Sequence, residues 1–320
     1  MGARTHVQLG GGERIGAYEI RQLLARGETV SVYECRHATL GRAAAIKILH
    51  PHLARDAAAS TRFLRDARAL AQMTHPNVVE VFDVGEHERL PYLVLSLVEG
   101  DDLDEHLRMR HPLSVTEVTD CILPIVGAVA AAHEAGIVHR EVKPRNIRIA
   151  SDHRGAPIAK VLDFGVSKVT GDERGGAKLA DVDRLLATAS YMSPEQLRSN
   201  KLAALRGDVY SLGVILYEAS TGRRPFQGAK PSQLIAAILA GRAPPPRSLR
   251  PELPPEFDAI VVRAMRRDAA ERYVSARELG RALAAFASDP TVWVGEFAPR
   301  SGHRILTRVR DGEPRRHSSH

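Results

Sequence analysis

The sequence predicts an α+β fold of two lobes, the first small and β-rich around one main helix, the second larger and helical. Three observations carry this. Short β-branched or aliphatic runs separated by turn residues recur through residues 15–98. One window among them, 57–73, has helical spacing instead, with Phe63, Leu64, Ala67, Leu70 and Ala71 on one face. From residue 99 to 288 helical windows dominate.

Taken in order, the strand runs are 30–34, 43–49, 78–84 and 92–98. The helical windows of the second lobe are 102–109, 116–135, 208–221, 232–240, 255–267 and 275–287, with a Pro-rich connector over 243–255. Residues 1–14 form a flexible leader. Residues 289–320 form a basic tail in which Trp293, Phe297, Ile305 and Leu306 stand among six Arg. Such a tail either packs on the larger lobe or binds a partner, and the sequence leaves both open.

Composition removes several classes of function. A chain of 320 residues with 44% hydrophobic and 26% charged residues is globular. The net charge of +7 is spread over scattered Arg, with no basic block and no recognition motif, so nucleic acid is not an expected partner. Cys35 and Cys121 are too few for a disulfide framework and have no metal-ligand spacing, which fits a reducing, cytoplasmic compartment. The longest apolar stretch, 121–132, is short for a bilayer and contains Pro124, so no membrane span is expected.

The chemistry lies in a series of short motifs. Ala44-Ala45-Ile46-Lys47 comes first, then His75-Pro76-Asn77, then His139-Arg140-Glu141-Val142-Lys143-Pro144-Arg145-Asn146. Asp163-Phe164-Gly165, Ser193-Pro194-Glu195 and Asp208-Val209-Tyr210-Ser211-Leu212-Gly213 follow. Each is weak alone. In this order and spacing the set resembles the protein-kinase signature, over about residues 15–288, and most nearly that of bacterial serine/threonine protein kinases.

The resemblance implies a bilobal protein-kinase fold, ATP and Mg²⁺ as cofactors, and a protein substrate or signalling partner. It implies that Lys47 grips the nucleotide phosphates and pairs with an acid on the following helix, here Asp66. Asn146 and Asp163 are the implied Mg²⁺ ligands, hard oxygen donors for a hard cation. Lys143 is placed to neutralise the transferring phosphoryl group, with Glu141 as the base. Ala25, Gly27, Val32 and Ala45 would cover the nucleotide, Ser96 to Val98 would form the hinge for adenine, and Arg148 would lie beneath the ring.

Several of these residues depart from the family pattern. Only the middle glycine of three survives in Leu24-Ala25-Arg26-Gly27-Glu28-Thr29-Val30, although glycine lets backbone approach phosphate without a Cβ. Asp66 and Glu141 exchange Asp and Glu relative to the pattern, which alters reach by one methylene. Arg148 replaces an apolar side chain and is expected to reach out and partly fill the pocket. Together these imply a weakened kinase, or a pseudokinase scaffold that binds partners without catalysis.

In the segment 163–195 the family's regulatory Arg is Arg140, which pairs with a phosphorylated threonine. Here Asp181 and Asp183 precede Thr188, and one of the two carboxylates could stand permanently for that phosphate. Thr188, within Ala187-Thr188-Ala189-Ser190, belongs to the peptide-docking stretch.

Overall fold

The computed structural model describes residues 9–110, 112–151, 155–164, 182–198 and 205–290. The first lobe is an antiparallel sheet of β1 (Arg14–Ile15), β2 (Tyr18–Arg26), β3 (Val30–His37), β4 (Ala43–Leu49), β5 (Val81–His87) and β6 (Leu90–Ser96). Its strand order is β1-β2-β3-β4-β6-β5. The short α1 (Pro51–Ala54) leads into α2 (Ala57–Ala71), capped by the Asp56 carboxylate on the Ala58 N–H. The helical face read from the sequence is the buried one, with Phe63, Ala67 and Leu70 against the sheet.

Both faces of the sheet are covered. Ile20, Tyr33, Ile46, Ile48 and Val94 pack together on the outer face, while Leu49, Leu93 and Leu95 face α2 and the second lobe. Successive side chains of a strand point to opposite faces, so Lys47, between Ile46 and Ile48, must point inward. This alternation aims an ammonium into an otherwise apolar wall.

The chain then crosses at residues 97–100. Gly100, at φ +130°, lies so close to the Ile149 carbonyl that a Cβ would overlap it, so no larger residue fits there. A three-stranded sheet follows, of β7 (Asp101–Asp102), β8 (Ile147–Ser151) and β9 (Pro157–Val161). This sheet was not anticipated in a segment that reads as helical.

The rest of the second lobe comprises α3 (Leu103–Arg110), α4 (Val115–Glu134), α5 (Val182–Ala189), α6 (Pro194–Arg198), α7 (Leu205–Thr221), α8 (Pro231–Ala240), α9 (Pro246–Leu249), α10 (Pro255–Ala264) and α11 (Ala276–Leu283). A reciprocal capping box between Ser114 and Glu117 starts α4. By length and composition α4 could cross a bilayer. Its apolar residues Val118, Ile122, Ile125, Val126 and Val129 are instead buried in the lobe. Pro124 lies within α4, as the helical window 116–135 read from the sequence already required. The most central element is α7, buried nearly all round, whose Gly213 allows Ala264 and Met265 to pack directly on its backbone.

Candidate active site

The loop from His139 to Asn146 is held by one carboxylate. Asp208, fully buried on α7, accepts the backbone N–H of His139 and of Arg140 at 2.8 Å each, and His133 Nε2 lies 2.9 Å away. A buried carboxylate needs such donors to offset its lost hydration. The bonds hold the peptide of Arg140 at φ +66°, a conformation costly for a side-chain-bearing residue unless its surroundings impose it.

His139 carries the constraint onward. Its Nδ1 accepts the Glu141 N–H at 3.3 Å, which fixes the proton on Nε2, and Nε2 donates to the Leu162 carbonyl at 2.9 Å. Burial keeps this imidazole below its ordinary pKa and so neutral, with the charges of Asp208 and Glu141 partly opposing. The ring packs against Phe164 at 4.7 Å between centroids, and Phe164 is fully buried. Asp163, beside it, sits at φ +61° and is thereby turned into the cleft.

Lys47 and Asp163 meet there in a salt bridge, across the gap between the lobes. Burial lowers the Lys47 ammonium to about 8, with the nearby Glu141 charge opposing the shift. Asn146 donates Nδ2 to the Glu141 carbonyl at 2.9 Å, so its Oδ1 points the other way, while its own carbonyl accepts the Leu162 N–H. Lys143 Nζ stands 3.6 Å from Glu141 Oε2 and 3.4 Å from Thr188 Oγ1. Lys47 pairs with Asp163, while Glu141, Lys143, Asn146 and Thr188 form a second linked group whose Glu141 charge acts on Lys47.

The segments expected as covering loop and hinge lie at the β2–β3 turn and at the end of β6. Gly27 donates its N–H to the Val30 carbonyl at 2.9 Å and closes the turn between β2 and β3, where Ala25 pairs with Val32. Ala45 pairs with Leu95 and Ala44 with Ser96, which brings the end of β6 to the cleft. The Ser96 N–H is already given to the Glu80 carbonyl at 2.8 Å. Val98 is half-buried against the core.

Asp66 is a correction. Its Oδ1 accepts Arg65 Nε at 3.0 Å and Nη2 at 2.9 Å, while Lys47 pairs with Asp163. The short Asp side chain is met by an adjacent guanidinium on its own helix, and the buried ammonium takes the carboxylate that faces it. Arg148 does extend outward as expected, and its Nη1 donates to the Gly100 carbonyl at 2.9 Å, tying β8 to the segment after the hinge.

The Arg140 carbonyl accepts from Gln196 Nε2 at 2.9 Å, and among the described residues the buried Arg140 Nε has no hydrogen-bond partner. Asp181 and the side chain of Asp183 lie outside the described residues, as do Gly165 and most of the tail.

Two features escaped the sequence reading as site elements. One is the anchoring role of Asp208, whose signal was a carboxylate opening an otherwise apolar helix. The other is a bidentate pair between Glu195 and a fully buried Arg272, at 2.7 and 2.8 Å, which fixes the end of the segment carrying Thr188. Arg272 stands 77 residues further along the chain, and nothing local marks it.

Comparison with known proteins agrees with this geometry. Residues 18–281 match the model of the protein kinase domain. The chain is 36% identical over 279 residues to the serine/threonine-protein kinase PknH of Mycobacterium bovis, covering 87% of this chain and 45% of that protein. It is 37% identical over 272 residues to PknL of Mycobacterium tuberculosis, covering 85% and 66%. The chain thus spans about two thirds or less of these relatives. Among solved structures it resembles the PknI kinase domain of Mycobacterium tuberculosis, with a TM-score of 0.65, 27% identity and coverage of 88% and 100%.

Proposed function

Since the chain belongs to the bacterial serine/threonine protein kinase family, we propose that it transfers the γ-phosphoryl group of ATP to a serine or threonine hydroxyl of a protein in phospho-signalling, at a reduced rate. The observation that carries this reading is the convergence of Lys47, Glu141, Lys143, Asn146 and Asp163 on one cleft between the lobes. The donor set fits Mg²⁺ with a nucleotide: Asn146 keeps Oδ1 and Asp163 keeps Oδ2, and Mg²⁺ usually takes only one or two protein oxygens beside phosphates. Bound there, the metal supplies charge neutralisation on the phosphates.

In the transfer the hydroxyl oxygen bonds to the γ-phosphorus, the bridging bond to ADP breaks, and Glu141 takes the hydroxyl proton. Lys143, between Glu141 and Thr188, balances charge where donor and acceptor meet. The reduced rate follows from the extra methylene of Glu141, because a misplacement of about 1 Å costs on the order of 10²-fold. Lys47 also lacks the support of Asp66. Two cysteines that form no disulfide fit action in the cytoplasm.

A second reading, a scaffold without catalysis, draws on the Lys47–Asp163 bridge, in which the two groups a nucleotide would use hold each other. Phosphate transfer from labelled ATP to a basic protein separates the two. Transfer by the wild type that disappears in Lys47→Ala and in Asp163→Ala establishes the enzyme. A thermal shift with ATP and Mg²⁺ without any transfer establishes the scaffold. Equal transfer from both variants refutes the proposed active site.

A further inference from the structure

The loop over the cleft lacks two of the glycines its position calls for, and an imidazole holds it from below. His50 follows β4 directly and is fully buried. Its backbone N–H donates to the Thr29 carbonyl at 2.9 Å. Its ring reaches further: Nδ1 lies 3.1 Å from the Glu28 carbonyl, and Nε2 lies 3.0 Å from Ser31 Oγ. A carbonyl only accepts, so Nδ1 carries the proton, and Nε2 accepts from the Ser31 hydroxyl. One residue thus holds two successive carbonyls of the Gly27–Val30 turn and the first residues of β3, with both ring nitrogens engaged.

The contact matters because of what the turn has lost. Backbone that cradles phosphate must be held at a fixed distance from it, and glycines achieve this by letting the chain approach closely. With Ala25 and Val30 in their places, the turn is fixed by the Gly27 to Val30 hydrogen bond on its own side and by His50 from the interior. Thr29, Val30 and Ser31 are all buried beside the ring, so the clamp is shielded from water and its loss is not repaired by solvent.

We propose that His50 is a positioning residue for the nucleotide phosphates, acting through the Gly27–Val30 turn. This rests on the reading of the cleft as an ATP site, and the experiment separates the two. Amide hydrogen exchange of residues 27–31, measured without nucleotide, should be faster in His50→Ala than in the wild type. His50→Asn, whose amide can replace Nδ1, should restore slow exchange; His50→Gln, whose amide reaches toward the Nε2 position, should not. In kinetic assays His50→Ala should raise KM for ATP about tenfold and change kcat less than about twofold, the signature of lost positioning rather than lost chemistry.

Exchange in His50→Ala equal to that of the wild type overturns the proposal, and so does rescue by Gln but not Asn. A fall in kcat with unchanged KM overturns it too. Should His50→Ala fail to fold, the comparison of Asn with Gln decides by the same criterion. A wild type that binds no ATP refutes the proposed activity, and the exchange measurements still decide whether His50 holds the turn.

Discussion

Replacing Arg272 with Met should cost far more stability than breaking an exposed ion pair among the described residues. All five N–H groups of its guanidinium are used. Nη1 and Nη2 reach the two Glu195 oxygens at 2.7 and 2.8 Å, and three further bonds of 2.7–3.1 Å reach the carbonyls of Arg266, Arg206 and Arg267. The group also lies 4.9 Å from the Tyr210 ring centroid. Arg272→Met keeps most of the volume but strands a carboxylate of which 17% of the side chain is exposed, together with three carbonyls. Breaking a buried pair from one side costs ~3–5 kcal/mol, a large part of the 5–15 kcal/mol that holds a domain folded. At a urea slope of about 3 kcal/mol per M the midpoint should fall by 1–2 M.

The pH dependence gives an independent check. Burial works to raise the Glu195 pKa, but the hydrogen bonds and charge of Arg272 outweigh it, so the folded value lies below the ordinary 4.5. A depressed carboxylate contributes stability that is present above its unfolded pKa and lost as pH falls through the folded one. The gap between wild type and variant should therefore narrow below pH 4.5. A loss under about 1 kcal/mol at pH 7, typical of an exposed pair, would refute the reasoning.

Further expectations concern the cleft. Arg148→Leu should tighten ATP binding in a calorimetric titration, because it removes a guanidinium stretched from β8 to the Gly100 carbonyl; weaker binding would mean that this arginine supports the base. Glu141→Asp should raise the rate of phosphate transfer and Glu141→Gln remove most of it, and full activity in Glu141→Gln would exclude the carboxylate as the base. ATP affinity should fall as pH rises from 7 to 9, since Lys47 loses its proton near 8, and a flat profile would show that the charge of Lys47 does not hold phosphate. In stability the same shift acts oppositely: between 8 and 10.5 the unfolded chain binds more protons at this residue, so its burial penalty shrinks as pH rises.

The two lobes, and the motifs whose polar groups gather in the candidate cleft, were legible in the sequence. Turn residues, strand alternation and helical spacing are local codes, and alternation alone turns Lys47 inward between Ile46 and Ile48. The motifs at 139–146 and 163–165 announced chemistry because they concentrate charge and amides where little else explains them. The small sheet β7-β8-β9 was missed because strands of two to five residues leave too little periodicity to read.

Which charges meet was not legible in local patterns, because packing of the whole chain sets it. Asp66 and Asp163 are both chemically suited to Lys47; the fold brings Asp163 to it across the cleft, and Arg65 occupies Asp66. Arg272 finds Glu195 across 77 residues, and His50 meets Ser31 across 19, because packing sets those distances. A sequence prescribes which groups need partners once buried. Which partner each one receives depends on the geometry of the whole core, because an electrostatic or hydrogen-bonded contact is decided within an ångström or two and local patterns do not carry that resolution.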